Sequence, residues 1–189
     1  MGFAISWIAC PETHAEAVLR QLLLRATGET EEMPESPISM FRTKPGWRII
    51  WVNEYGSPLI GEDVLAKLSM TSEIILALVE EHVMASSSEL WSQGRRRWWI
   101  SHQGENGPVG LATDGHLPHS FPTIRETLEQ EQEEAGGKDA DVDHLFDIPL
   151  KVAESITGFK HDVVLEGEFE VLKRDESKSA GFFKRLFGG

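Results

Sequence analysis

The chain has 189 residues, of which 40% are hydrophobic and 26% charged, and its 31 acidic and 18 basic side chains give a formal net charge of -13. These values are typical of one globular domain with an ordinary core. The negative charge disfavours broad binding to nucleic-acid phosphates or anionic lipid, because the long-range field repels both. The longest fully apolar run, residues 74–79, is far shorter than the roughly 20 residues of a membrane-spanning helix.

The N-terminal residues and the cysteine content indicate the cellular compartment of the protein. The first basic residue is Arg20, so the basic region of a secretory signal is missing. Cys10 is the only cysteine, which excludes an internal disulfide and suits a reducing compartment. We therefore expect a cytoplasmic protein without a membrane span.

The first 37 residues predict a strand, a helix and a loop. Residues 3–9 are rich in Ile, Trp and Phe, as in a buried strand. Pro11 suits the first turn of an amphipathic helix that we expect to run to Ala26, with Gly28 as its C-terminal cap. The acidic, proline-containing segment 28–37 is expected to be a loop.

A β-hairpin follows. Residues 38–43 and 47–53 flank Lys44-Pro45-Gly46, in which proline and glycine occupy the positions that a type II turn favours. Residues 61–70 predict a short helix. Residues 73–79 consist of one glutamate and a continuous apolar run, which is typical of a strand covered on both faces.

The middle of the chain predicts an antiparallel meander. Residues 82–91 and 95–102 are expected to be strands joined by a turn at Ser92-Gln93-Gly94. A glycine-rich turn at 104–108 then leads to a short strand near residues 109–112.

Two helices and one strand are expected in the last third. Thr123 and Glu126 have the spacing of a capping box at the start of a polar helix. Asp147 is expected to begin a second helix that ends before Gly158. Residues 163–172 alternate between apolar and acidic side chains, which predicts a late strand with one buried face.

Together these elements predict a single α+β domain over residues 1–172. We expect a mostly antiparallel sheet of about six to eight strands with the helices packed on it. Residues 173–189 form a basic, Phe-rich C-terminal tail. This tail has the composition either to dock on a partner or a membrane surface or to pack on its own domain.

Two groups of residues are candidates for catalysis or metal binding. Cys10 lies between a strand and a helix N-terminus, where a thiol pKa can fall, but the chain has no CxxC pair and no Cys-x5-Arg loop. His116 and His119, with His102 one strand away, are zinc-ligand residue types that lack the HExxH frame and a fourth ligand. A structural cysteine and surface histidines are therefore favoured over a catalytic site.

Other motifs of catalysis and cofactor binding are missing. Asp139, Asp141 and Asp143 alternate like the start of a calcium loop, but His144 replaces the required glycine and Leu150 the bidentate glutamate. The chain also lacks a nucleophile elbow, a P-loop and a dinucleotide-binding glycine pattern. The sequence thus predicts no cofactor and no metal, and it favours a protein without catalytic activity.

The strongest candidate for binding is the segment 91–100, which contains three of the six tryptophans and three consecutive arginines. Strand alternation places Arg96, Trp98, Ile100 and His102 on one face, which is the expected core side. Arg95, Arg97 and Trp99 then form an outward patch of the residue types common at binding hot spots. The alternatives are a purely structural role and a stacking platform for single-stranded nucleic acid, which the acidity of the chain disfavours.

Two segments carry a resemblance to known proteins. Residues 2–9, Gly-Phe-Ala-Ile-Ser-Trp-Ile-Ala, and the stretch from Glu81-His82-Val83-Met84 through Trp91, Gly94, Arg95 and Trp98 resemble a family of uncharacterised bacterial proteins. The resemblance extends to about His161. It implies a bacterial source and implies no activity or site residues.

The sequence therefore favours a cytoplasmic, non-catalytic binding protein. An acidic inhibitor or immunity-type protein that neutralises a basic protein partner fits the charge, because complementary charge accelerates encounter. The alternative is an enzyme of unrecognised type that uses Cys10 or the group formed by His102, His116 and His119.

Overall fold

An open antiparallel sheet is the centre of the fold. A computed structural model describes residues 2–105, 110–163 and 165–175, and these contain nine strands and four α-helices. The strands are β1 (Ala4–Pro11), β2 (Leu24–Glu31), β3 (Ile38–Arg42), β4 (Trp47–Val52), β5 (Ile74–Glu80), β6 (Ala85–Ser92), β7 (Arg95–Gln103), β8 (Ala112–Gly115) and β9 (Phe169–Arg174). The helices are α1 (Ala15–Gln21), α2 (Glu62–Leu68), α3 (Phe121–Glu134) and α4 (Asp147–Thr157).

The strand order is β2-β9-β3-β4-β1-β5-β6-β7-β8, and all neighbouring strands are antiparallel. The first strand therefore lies at the centre, between β4 and β5. Trp7 and Ile8 point to opposite faces of β1, and both side chains are fully buried. Burial on both faces explains why β1 and β5 are nearly continuous apolar runs rather than alternating ones.

Helices cover both faces of the sheet. On one face, α1 and α2 bury Val18, Leu65 and Leu68 against alternate residues of β1, β4 and β5. On the other face, α3 and α4 pack on the sheet in a second core that contains most of the aromatic residues. Phe159, directly after α4, makes ring contacts with Trp7, Trp51, Phe41 and Phe169 and has no exposed surface.

The structure confirms the α+β prediction and most of the individual elements. The hairpin is present as β3 and β4. Its turn is closed by the Gly46 nitrogen, which donates to the Thr43 carbonyl oxygen at 3.1 Å, so Gly46, with a φ of 89°, is the fourth residue of the turn rather than the third residue of the expected type II turn. The meander is present as β6, β7 and β8. Gly158, with φ of 70°, ends α4 in the left-handed conformation that favours glycine.

The prediction for residues 22–31 is wrong, whereas residues 32–37 form the expected loop. The helix ends at Gln21, and Leu23 adopts a positive φ of 55° that reverses the chain into β2. Gly28 is therefore not a helix cap; it lies in an irregular part of β2, where the register with β9 shifts. Leu22 and Leu24 are both buried, and their spacing is also compatible with a helix, so local pattern could not reveal this edge strand.

Three other boundaries differ from the prediction. The polar helix begins at Phe121 after Ser120, so Thr123 lies inside it and forms no capping box. The late strand begins only at Phe169 and continues to Arg174, past the domain boundary expected at residue 172. The short strand expected near residues 109–112 is Ala112–Gly115. The described sheet has nine strands, compared with the six to eight expected.

The proposed C-terminal tail is described only as far as Asp175, and its Phe-rich part lies outside the described residues. Lys173 and Arg174 belong to β9 and pair with β2. Among the helices of the described ranges, none is long and apolar enough to cross a membrane.

Candidate functional site

The arginine and tryptophan segment contains a β-bulge that changes the predicted faces. In the β6–β7 ladder Leu90 is opposite Trp98, whereas Trp91 is opposite Arg96, so Arg97 is the extra residue. Trp98, Ile100 and His102 are buried, as alternation predicts. The bulge moves Arg96 away from this core side to the face of Trp99, and its guanidinium carbon lies 5.8 Å from the ring centroid.

Intramolecular contacts engage two of the three arginines. Arg96 lies 3.4 Å from a carboxylate oxygen of Glu89 and 3.6 Å from one of Glu62. Arg97 donates through Nε to the Ser92 carbonyl oxygen at 3.0 Å, which holds its guanidinium over the β6–β7 turn. Arg95 is exposed and Trp99 is half-buried. Binding by Arg95, Arg97 and Trp99 stays a prediction. The arginine that stacks over the Trp99 ring is Arg96, and not Arg95 or Arg97.

Cys10 is buried, with 1% of its surface exposed in the core under α1. Burial raises the pKa of its thiol to about 12, the charge of Glu12 adds to this increase, and Arg48 partly opposes it. Because the thiolate is the nucleophilic form, the native thiol is unreactive near neutral pH.

We expect iodoacetamide at about pH 8 to leave Cys10 unmodified in the native protein, since both access and ionisation are suppressed. Unfolding in urea should expose the thiol and allow full alkylation, which mass spectrometry measures. Rapid alkylation of the native chain would contradict the assignment of Cys10 to the core.

The three candidate histidines do not form a group. His102 is fully buried and bonds Asp143 through Nε2 at 2.7 Å. His116 is exposed, and its backbone nitrogen donates to the carbonyl oxygen of Arg97, five residues from His102 along β7. Five residues of strand span about 17 Å, which separates the two imidazoles. His119 is exposed as well.

The aspartates of the calcium-like segment have structural contacts instead. Asp143 accepts hydrogen bonds from the backbone nitrogens of Leu145 and Phe146, which caps a short 3-10 helix before α4. Within the described ranges, no three His, Cys, Asp or Glu side chains are arranged to hold a metal ion.

A different site, an apolar groove of about 610 Å³, lies on the sheet face that carries the aromatic core. This volume is in the range of small-ligand and peptide-anchor pockets, roughly 300–1,000 Å³. The groove lies between the β2–β3 loop and the segment that joins α4 to β9. Its apolar walls are Phe3, Met33, Pro34, Trp51, Val163, Leu165 and Phe169.

Hydrogen bonds fix the loop side of the groove. The indole nitrogen of Trp51 donates to the side-chain oxygen of Asn53 at 2.8 Å. The Asn53 amide nitrogen in turn donates to the carbonyl oxygens of Pro34 and Ser36 at 2.6 and 2.7 Å. These bonds tie the loop to β4, so the groove is preorganised and little entropy is lost when it is filled.

A second set of contacts fixes the opposite wall. One carboxylate oxygen of Glu81 accepts from the Phe3 backbone nitrogen at 2.8 Å, and the other lies 3.1 Å from Nε2 of His161. The Phe3 and His161 rings meet edge to face with centroids 5.1 Å apart. Because a carboxylate only accepts, Nε2 carries the proton towards Glu81, and the buried Nδ1 of His161 has no hydrogen-bond partner among the residues that the structure describes.

Three carboxylates border the groove: Glu32, Asp162 and Glu168. Asp162 is paired with Lys160 at 2.8 Å. Glu32 and Glu168 are exposed, and neither forms an ion pair with the residues that the structure describes. The site is thus apolar inside and negatively charged at its mouth.

Exposed apolar side chains also distinguish the groove from ordinary surface. Met33 is 58% exposed and Val163 is 39% exposed, although both are large and hydrophobic. Sequence reasoning missed this site because it could not show which distant segment faces the loop that contains Met33, and because it placed Val163 in a strand. A methionine and a proline within the acidic run Glu31–Glu35 were the available signal, but the pairing of β2 with β9 was needed to interpret it.

Comparison with known proteins gives no information on what this site binds. No protein-family model matches the chain, and no curated protein and no solved structure gives a significant match. The resemblance to an uncharacterised bacterial family therefore stays a prediction.

Proposed function

We propose that this chain is a non-catalytic, cytoplasmic binding protein that uses the apolar groove to hold a basic protein partner. The observation that carries the proposal is the preformed apolar groove on a chain with a net charge of -13, with two carboxylates at its mouth, Glu32 and Glu168, that form no ion pair with the described residues. An acidic inhibitor or immunity-type protein is the class that this combination suits.

Shape and charge have separate roles in this proposal. The acidic surface attracts a basic partner and raises the association rate. The groove then supplies affinity, because apolar area leaves water when a partner side chain enters it. Met33 and Val163 are the exposed residues that such an insertion would cover.

Met33→Asp is expected to weaken partner binding at least tenfold, because it puts a charge that must be desolvated into the groove. The exposure of Met33 predicts little change in stability. Met70→Asp is the matched control, since Met70 is 66% exposed and does not line the groove.

Affinity capture from the source cell with the intact chain would identify the partner, and titration calorimetry with the purified partner would compare the two variants. Equal dissociation constants for the intact chain and Met33→Asp would refute binding at the groove. Parallel capture with Arg95→Glu and Trp99→Ala tests whether the patch on β7 contributes.

A further inference from the structure

Two carboxylates at the mouth of the groove lie directly beyond the last paired residues of β2 and β9. In the β2–β9 ladder Glu31 is opposite Phe169. The next residue outward on each strand is Glu32 on one side and Glu168 on the other, and both line the groove. Neither has a cation within ion-pair distance among the described residues. Glu32 and Glu168 are both exposed, so their charges are available to a ligand at the mouth of the groove.

We propose that the groove recognises a short apolar segment of the partner that carries a lysine or arginine, with its cation between Glu32 and Glu168. This inference rests on the proposed function and names the chemistry of the ligand. The apolar side chains of the segment pack on Phe3, Met33 and Val163, which line the groove and keep exposed surface, and the neighbouring cation pairs with the carboxylates at the mouth.

The groove combines apolar walls with carboxylates at its mouth, and this combination disfavours ligands that suit only one of these two parts. A purely apolar ligand would remove water from two carboxylates without replacing their hydrogen bonds. An anionic ligand would add a third negative charge at the mouth. A strongly hydrated polycation would leave Met33 and Val163 uncovered. A segment with adjacent apolar and cationic side chains satisfies both parts of the site.

The test compares three acetylated and amidated pentapeptides, Phe-Phe-X-Leu-Phe, in which X is lysine, norleucine or glutamate. Binding to the full chain is measured by calorimetry at low ionic strength. We expect the lysine peptide to bind about fivefold more tightly than the norleucine peptide, as for partly exposed ion pairs. The glutamate peptide should bind most weakly, and about 0.5 M salt should reduce the differences.

The double variant Glu32→Gln/Glu168→Gln should remove the preference for lysine while retaining affinity for the norleucine peptide. Glu35→Gln is the matched control, because Glu35 is exposed in the same loop but does not line the groove. Circular dichroism checks the fold of each variant.

Two results would overturn the inference. One is equal affinity for the lysine and norleucine peptides, and the other is a lysine preference that survives in the double variant. If all three peptides bind equally and Met33→Asp weakens them all, the groove binds apolar side chains, and only the recognition of a cation by Glu32 and Glu168 is refuted. Absence of binding by all three peptides also overturns the inference, whereas Met33-dependent binding of the purified partner tests the proposed function separately.

Discussion

Replacement of Phe159 by alanine is expected to lower the free energy of unfolding by about 4 kcal/mol. Phe159 has no exposed surface, and its ring contacts Trp7 at 5.2 Å and Trp51 at 6.3 Å between centroids. Truncation leaves a cavity among large rings that are themselves fixed on four strands, β1, β3, β4 and β9, so the surrounding residues cannot collapse into it.

Urea denaturation followed by tryptophan fluorescence measures this loss. Val83→Ala is the control, since Val83 is 61% exposed and its truncation should change stability by less than about 0.5 kcal/mol. Phe159 also supports two walls of the groove through Trp51 and Phe169. A loss below about 1 kcal/mol for Phe159→Ala would contradict its placement at the centre of the aromatic core.

Replacement of Lys160 by methionine is expected to cost about 2 kcal/mol near neutral pH. The side chain of Lys160 is 7% exposed and lies 3.0 Å from Asp147 and 2.8 Å from Asp162. Without the ammonium group, two carboxylates face each other in a partly buried site. The loss is smaller than for a fully buried pair because the Asp162 side chain keeps 42% of its exposure.

The pH dependence of this loss follows from both partners. Burial lowers the pKa of Lys160, but hydrogen bonds and charge from Asp162 and Asp147 raise it by a larger amount, so the net shift is upward from 10.5. Burial raises the pKa of Asp162, but Lys160 lowers it more, and the net shift is downward from 3.8. The contribution of Lys160 is thus lost as pH rises above about 10.5, and that of Asp162 as pH falls below about 3.8.

The stability difference between the intact chain and Lys160→Met should therefore be nearly constant from about pH 5 to pH 10 and shrink at both extremes. Urea midpoints at several pH values measure it. The double variant Lys160→Met/Asp162→Asn isolates the pair, because removal of both charges should restore part of the loss. A stability difference between the intact chain and Lys160→Met that grows below pH 4 would contradict this ion pair.

Local sequence patterns predicted the elements that local interactions determine. The β3–β4 hairpin was predictable because Pro45 and Gly46 have the backbone preferences of its turn. The end of α4 was predictable because Gly158 adopts a positive φ. The burial of Trp98 and Ile100 followed from strand alternation.

Long-range pairing determined what the sequence did not predict. The β2 strand forms against β9, about 140 residues later in the chain, and residues 22–31 alone also fit a helix and a loop. The bulge at Arg97 depends on the register between β6 and β7 and moves Arg96 to the opposite face. The groove exists only where these distant segments meet, so neither Met33 nor Glu168 could be identified in advance.

The most direct test of groove binding uses the indole N–H resonances of the six tryptophans as separate reporters. Trp51 lines the groove and donates through its indole nitrogen to Asn53, whereas Trp99 lies on the opposite face of the sheet beside Arg96. Titration of the lysine peptide into the labelled full chain should shift the Trp51 resonance and leave that of Trp99 unchanged. A shift of Trp99 without a shift of Trp51 would instead place binding at the patch on β7 and contradict the groove as the functional site.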